Sequence, residues 1–182
     1  MLKIIHLLAI PLLCVIIFIA QPANATDKHL RIIHTYIPDA VQIGTGEYKY
    51  FLTRIYQATL YALQDQQAGS PPLAMVLHYH HNLKGERIAK ASVNEIRKQG
   101  FRDEIKLAAW YKQMSEIFPD VEKGMELTGI FQKNGNTVFY HADKKIGTIK
   151  DTDFGQYFFK IWLGEKTTAP QLRQQLLAGV KK

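Results

Sequence analysis

The chain has 182 residues, with 23 Lys and Arg against 16 Asp and Glu, one Cys, and an apolar fraction of 47%. That balance describes a globular protein and excludes disordered, collagen-like and disulfide-framework classes. The positive charge is spread out, with no block of like charges and no Arg stripe interleaved with aromatics, so nucleic acid is not an expected partner.

The first 25 residues stand apart. Lys3 is their only charge, Leu7 to Ala20 is apolar apart from Pro11, and Ala23-Asn24-Ala25 has small-x-small spacing. This pattern predicts a secretory signal peptide cleaved after Ala25. A permanent anchor needs about 20 apolar residues, whereas this run has 14, so no stable membrane anchor is expected after cleavage. Residues 26–182 are expected to form a single domain. They contain no cysteine, which suits a periplasmic or secreted location and removes thiol catalysis.

From Ile32 to Leu63 the texture is β-like. Read as one strand, Tyr48, Tyr50, Leu52, Arg54, Tyr56, Ala58 and Leu60 share a face, with Phe51, Ile55 and Tyr61 opposite. After a loop over Gln64 to Pro72, a further strand is expected from Leu73 to His81. Ile88, Ala89, Ser92, Val93 and Ile96 then follow a helical period that Gly100 stops. A second helix is expected from Asp103, with Leu107, Trp110, Met114 and Phe118 on its apolar stripe and Pro119 at its end.

Glu126 to Lys133 and Asn136 to His141 predict a hairpin joined at Asn134-Gly135, and a turn over Ala142 to Lys145 leads into Ile146 to Ile149. A helix from Thr152 to Trp162 carries Phe154, Tyr157, Phe158, Ile161 and Trp162 on one stripe. The last helix opens on Thr168-Ala169-Pro170-Gln171, a capping-box pattern, and closes at Gly179. Grouped strands and grouped helices imply an α+β class. Trp110 and Trp162 read as core anchors.

Three runs carry a family resemblance: Gly44-Thr45-Gly46, Ile55 to Tyr61, and above all Phe139-Tyr140-His141 through Ile146-Gly147-Thr148-Ile149 to Ile161-Trp162-Leu163-Gly164. The chain resembles the bacterial, exported branch of the chalcone isomerase-like family from about Val41 to Gly179. The resemblance implies a curved antiparallel sheet with helices on one face, an open-faced sandwich, and a cleft between them for an apolar ligand. In plant chalcone isomerases an Arg shortly after the Gly-x-Gly turn polarises the substrate, and Tyr48 stands in its place here. A strand Thr of those enzymes falls near Tyr56. Their helical Tyr, Lys and Asn fall on Arg87, Lys90 and Asn94 when one gap is allowed, and on Ile88, Ala91 and Glu95 without it.

Loss of the polarising Arg implies a non-catalytic binding or structural protein. Non-catalytic relatives of the plant enzymes bind fatty acids, so a fatty acid or other amphiphile is the expected partner, although the carboxylate clamp of those binders uses the same Arg. No cofactor is expected. The alternative is an isomerase acting on an enone-like compound, with Tyr48 or Tyr56 as acid and Lys90 assisting. That role requires a large shift from the ordinary tyrosine pKa of about 10.

From the residues alone, Tyr48, Arg54 and Tyr56 are candidates to face a ligand, because aromatic rings with polar tips orient amphiphiles. His78 and His80, two apart on a strand beside His81, point to one side. They form a weak candidate metal pair, with His34 or His141 as a third ligand. A nucleophilic serine is not expected, since no Gly-x-Ser-x-Gly elbow exists.

Overall fold

A computed structural model describes residues 25–180. Apart from Ala25, the expected signal peptide lies outside the described residues. Among these residues six strands form one sheet: β1 Val41–Tyr50, β2 Thr53–Ala62, β3 Leu73–Tyr79, β4 Glu126–Phe131, β5 Thr137–His141 and β6 Lys144–Ile149. Each pairs antiparallel with the next in sequence. Among the described residues five helices accompany the sheet: α1 Ala25–Tyr36, α2 Gly85–Lys98, α3 Glu104–Ile117, α4 Thr152–Leu163 and α5 Pro170–Leu176.

Alternation along the strands gives the sheet two apolar faces. Leu60, Ala62, Leu73, Met75, Phe131 and Phe139 pack with the helices α2 to α5 into the larger core. The residues between them, Tyr61, Ala74, Val76 and Ile130, face the other way and meet Ile33 and Ile37 of α1. The expected layer of helices on one face is therefore present, and α1 adds a strap across the opposite face.

Local chemistry sets the helix positions. The Asp103 carboxylate caps α3 by accepting from the Lys106 N–H at 3.0 Å. Asp151 caps α4 through the Asp153 N–H at 2.9 Å, while its other oxygen accepts from Trp110 Nε1 at 3.1 Å. One carboxylate thus satisfies a helix end and ties α4 to α3. At β1, α5 crosses so closely that a Cβ on Gly44 would meet the Gln175 and Leu176 carbonyls. The Gly-x-Gly run is required by helix packing on a strand.

Three expectations are corrected. Ile32 to Tyr36 is helical rather than extended, because His29, Ile33 and Ile37 recur at i, i+4 and i+8 and all are buried. Residues 41–62 form two strands instead of one, with the chain reversing at Phe51-Leu52. No Gly, Pro or Asn marks that turn. Thr168 does not cap α5: Ala169 occupies the cap position, and the Thr168 hydroxyl donates to Glu95 at 2.8 Å. The β4–β5 turn falls at Asn134-Gly135 as expected, with only Gly135 in the left-handed region.

Candidate functional site

A cavity of about 610 Å³ lies between the sheet and the α2 to α4 helices. Its floor comes from Met75, Leu77 and Tyr79 of β3, Leu127 and Gly129 of β4, and Phe139 of β5. Met75, Gly129 and Phe139 are in register across three strands. Gly129 contributes no side chain, and a Cβ there would sit 3.3 Å from the Phe139 ring. The missing side chain makes room for the Phe139 and Phe159 rings to pack against the strand.

The roof is built by helical spacing. Arg87, Ala91 and Glu95 recur every four residues along one line of α2, and Ile88 and Ser92 lie on the line next to it. Phe158, Ile161 and Trp162 of α4 close the opposite wall. At one end Tyr48 and Tyr56, cross-strand partners in β1 and β2, stack with ring centroids 5.0 Å apart. Trp162 Nε1 donates to the Tyr56 hydroxyl at 2.9 Å. The wall, the end and the sheet are thereby joined.

The polar groups are few and differ in how they are held. Burial pushes the Tyr56 and Tyr79 phenols far above the ordinary tyrosine range, against the weaker opposing effect of the Trp162 hydrogen bond on Tyr56. Burial also raises the Tyr48 phenol, helped by the nearby Glu95 carboxylate. All three phenols stay protonated at neutral pH. Glu95 is bound by Lys98 at 2.7 Å and by the Thr168 hydroxyl. Among the described residues Arg87 is the one Lys or Arg lining the cavity, and its guanidinium forms no hydrogen bond or ion pair with them.

The residues singled out from the sequence separate into three places. Tyr48, Tyr56 and Arg87 line the cavity. Arg54 is exposed and reaches across the β1–β2 hairpin to Glu47 at 3.1 Å. Lys90 and Asn94 lie on the outer side of α2, where they border a separate depression of about 380 Å³ between α2 and α3. They share no site with the two tyrosines, because residues 90 and 94 lie on a different line of the helix from 87, 91 and 95.

His78 and His80 lie on the α1 side of the sheet, with rings 5.5 Å apart. His78 Nδ1 is 3.3 Å from one oxygen of Glu126, and His29 Nδ1 is 3.1 Å from the other. Among the described residues no group of three His, Cys, Asp or Glu side chains is placed to hold a metal ion. His34 instead bonds the Ala40 carbonyl.

Sequence reasoning missed Tyr79 and Gly129 and treated Trp162 as core alone, whereas the ungapped placement on α2, Ile88, Ala91 and Glu95, falls on the cavity lining. Trp162 is buried, as expected, and is also cavity wall. The spacing of Arg87, Ala91 and Glu95 was the available signal for the roof. Nothing local marks Gly129.

Comparison with known proteins agrees with this architecture. A family model described as chalcone isomerase-like matches residues 42–178. No curated protein matches the sequence. Among solved structures, a fatty-acid binding protein of Arabidopsis thaliana superposes with a TM-score of 0.58 at 14% identity, covering 76% of this chain and 87% of that one. At that identity the likeness speaks for the fold. The chain belongs to the chalcone isomerase-like family.

Proposed function

We propose that this chalcone isomerase-like protein is an exported binding protein that holds a fatty acid or similar amphiphile, without converting it. The observation that carries this reading is an apolar cavity of about 610 Å³ whose lining includes the cation Arg87, unpaired among the described residues. That volume lies within the ~300–1,000 Å³ usual for small-molecule sites. An alkyl chain is matched by the Met75, Leu77, Leu127 and Phe139 floor, and a carboxylate by the Arg87 guanidinium, which offers a planar fork of donors. The neutral Tyr48 phenol has a hydroxyl free of protein partners among the described residues, and it supplies a further donor. The similarity in fold to a plant fatty-acid binding protein supports the same class of ligand.

Catalysis is less well supported. Tyr48 stands where chalcone isomerases carry their polarising Arg, and phenols raised by burial are poor proton donors and acceptors at neutral pH. Lys90, the expected assistant, is outside the cavity. Export is supported by the apolar run from Leu7 to Ala20, the Ala23-Asn24-Ala25 site, and the absence of cysteine beyond it.

The test is native mass spectrometry on protein recovered from the cell envelope of an expressing bacterium. Expected are a chain starting at Thr26 and a bound mass that organic extraction identifies as a fatty acid. Repeatedly empty protein that also fails to take up palmitate in titration would overturn the binding reading. A retained leader would overturn the export reading.

A further inference from the structure

The tip of the β1–β2 hairpin is the longest exposed apolar run among the described residues: Tyr50, Phe51 and Leu52 are 61%, 85% and 98% exposed. The other large exposed apolar side chains, Val41 and Ile105, are isolated. Tyr50 and Phe51 meet edge to face with centroids 4.8 Å apart, so the tip presents a joined aromatic surface. Folding does not require it. Phe51 has φ 53°, a left-handed conformation that favours Gly, Asn or Asp, and a two-residue hairpin turn forms more readily with those residues. Solubility is not served either, because exposed apolar clusters promote association.

We propose that this tip inserts into the surface of an anionic lipid bilayer and so seats the mouth of the cavity on the membrane. Two features of the hairpin select that partner. Lys49 and Arg54, both more than half exposed, flank the tip, and both contact Glu47. The hairpin end therefore keeps a net positive charge beside its apolar residues, the combination that binds the interface of an anionic membrane. In addition, Tyr50 belongs both to the tip and to the cavity lining. An inserted tip thus places the cavity entrance within reach of the acyl chains. A protein partner is a poorer match, since a stable interface takes about 800 Å² from each side and this tip offers three side chains rimmed by charge. The inference does not depend on which ligand the cavity takes.

The experiment is co-sedimentation with vesicles of phosphatidylglycerol and phosphatidylethanolamine, compared with phosphatidylcholine alone. The full chain is used beside its Phe51→Asn/Leu52→Ser variant. Asn suits the left-handed position, the net charge is unchanged, and any contribution of residues 1–24 is common to both proteins. The expected result is preferential binding of the wild type to anionic vesicles, weakened about tenfold or more in the variant, with the same denaturant midpoint and the same palmitate affinity in solution. Lys49→Gln/Arg54→Gln should reduce the anionic preference and flatten its salt dependence. Equal binding by wild type and tip variant would mean adsorption through net charge alone and would overturn the proposal. So would equal wild-type binding to both vesicle types. Concentration-dependent dimerisation lost in the tip variant, without vesicle binding by the wild type, would make the tip a self-association surface and overturn it too.

Discussion

The two faces of the sheet use the same strands to opposite ends. On the α1 face Glu126 lies between His29 and His78, the Tyr36 and Tyr140 hydroxyls are 2.9 Å apart, and Thr45 bonds Thr59, while the buried His80 Nε2 has no partner among the described residues. Burial and Tyr36 together push the Tyr140 phenol up to about 12. On the α2–α4 face, Arg87 and the Tyr48 hydroxyl have no side-chain partner among the described residues and line the cavity. The paired groups at Glu126 and Tyr140 add specificity to the docking of α1, whereas Arg87 and the Tyr48 hydroxyl stay available to a ligand.

The largest effect should come from the wall between cavity and core. Trp162→Ala removes a buried indole together with the hydrogen bond to Tyr56 and should cost about 3 to 5 kcal/mol, read as a sharp fall in the urea midpoint. Retention of the wild-type midpoint would break the picture of a docked α4. On the opposite face, Ile33→Ala should cost about 2 to 4 kcal/mol by emptying the contact between α1 and the sheet. Its palmitate affinity, measured on the folded protein, should match wild type. A parallel loss of binding would show that the two faces are not independent.

Arg87→Gln should weaken palmitate binding by about tenfold, leaving the midpoint unchanged, because the exposed guanidinium supports no other described residue. The corresponding fatty alcohol should bind both proteins alike; an equal loss for alcohol and acid would assign Arg87 a steric role.

A smaller effect concerns Glu126, whose carboxyl is held below the ordinary glutamate value of 4.5 first by the His29 hydrogen bond and then by His78. A carboxyl depressed by folding stabilises the native state above its unfolded pKa, and that contribution is lost as pH falls through the folded value. The midpoint should therefore drop below about pH 4.5 more steeply in wild type than in Glu126→Gln. Parallel profiles would remove the His29–Glu126–His78 group as a source of acid sensitivity. The smallest change is expected for Lys160→Ala, which loses an exposed cation 4.4 Å from the Tyr157 ring and should shift stability by less than about 1 kcal/mol.

Much of this architecture was legible in the sequence, for identifiable reasons. The helices carrying Ile88 to Ile96 and Phe154 to Trp162 declare themselves because burial on one side imposes a 3.6-residue period, and α3 and α4 begin at aspartates that cap them. The turn at Asn134-Gly135 is visible because Gly135 meets a backbone requirement. The Phe51-Leu52 reversal was hidden, since its residues do not suit its geometry. The strap α1 was hidden because Ile32 and Ile33 read as readily in a strand as in a helix until the buried triple at 29, 33 and 37 is considered.

The candidate site was less legible. Tyr48, Tyr56 and Arg87 come from three separate elements and converge only because β1 pairs with β2 in this register and α2 packs over the sheet. Arg54, two residues from Tyr56, is instead drawn to Glu47 by their opposite charges.

The sequence by itself determined the class of fold and the sides of most helices that face inward, because hydrophobic periodicity and capping act between residues close in the chain. Tertiary structure alone decided that Gly129 lies on the cavity floor, that Trp162 bonds Tyr56, that Arg87 lines that space with no partner among the described residues, and that Lys90 is excluded from it. Each depends on how far the helices stand from the sheet and on which helix line faces it. Those distances are set by packing among residues distant in sequence, where no local period records them.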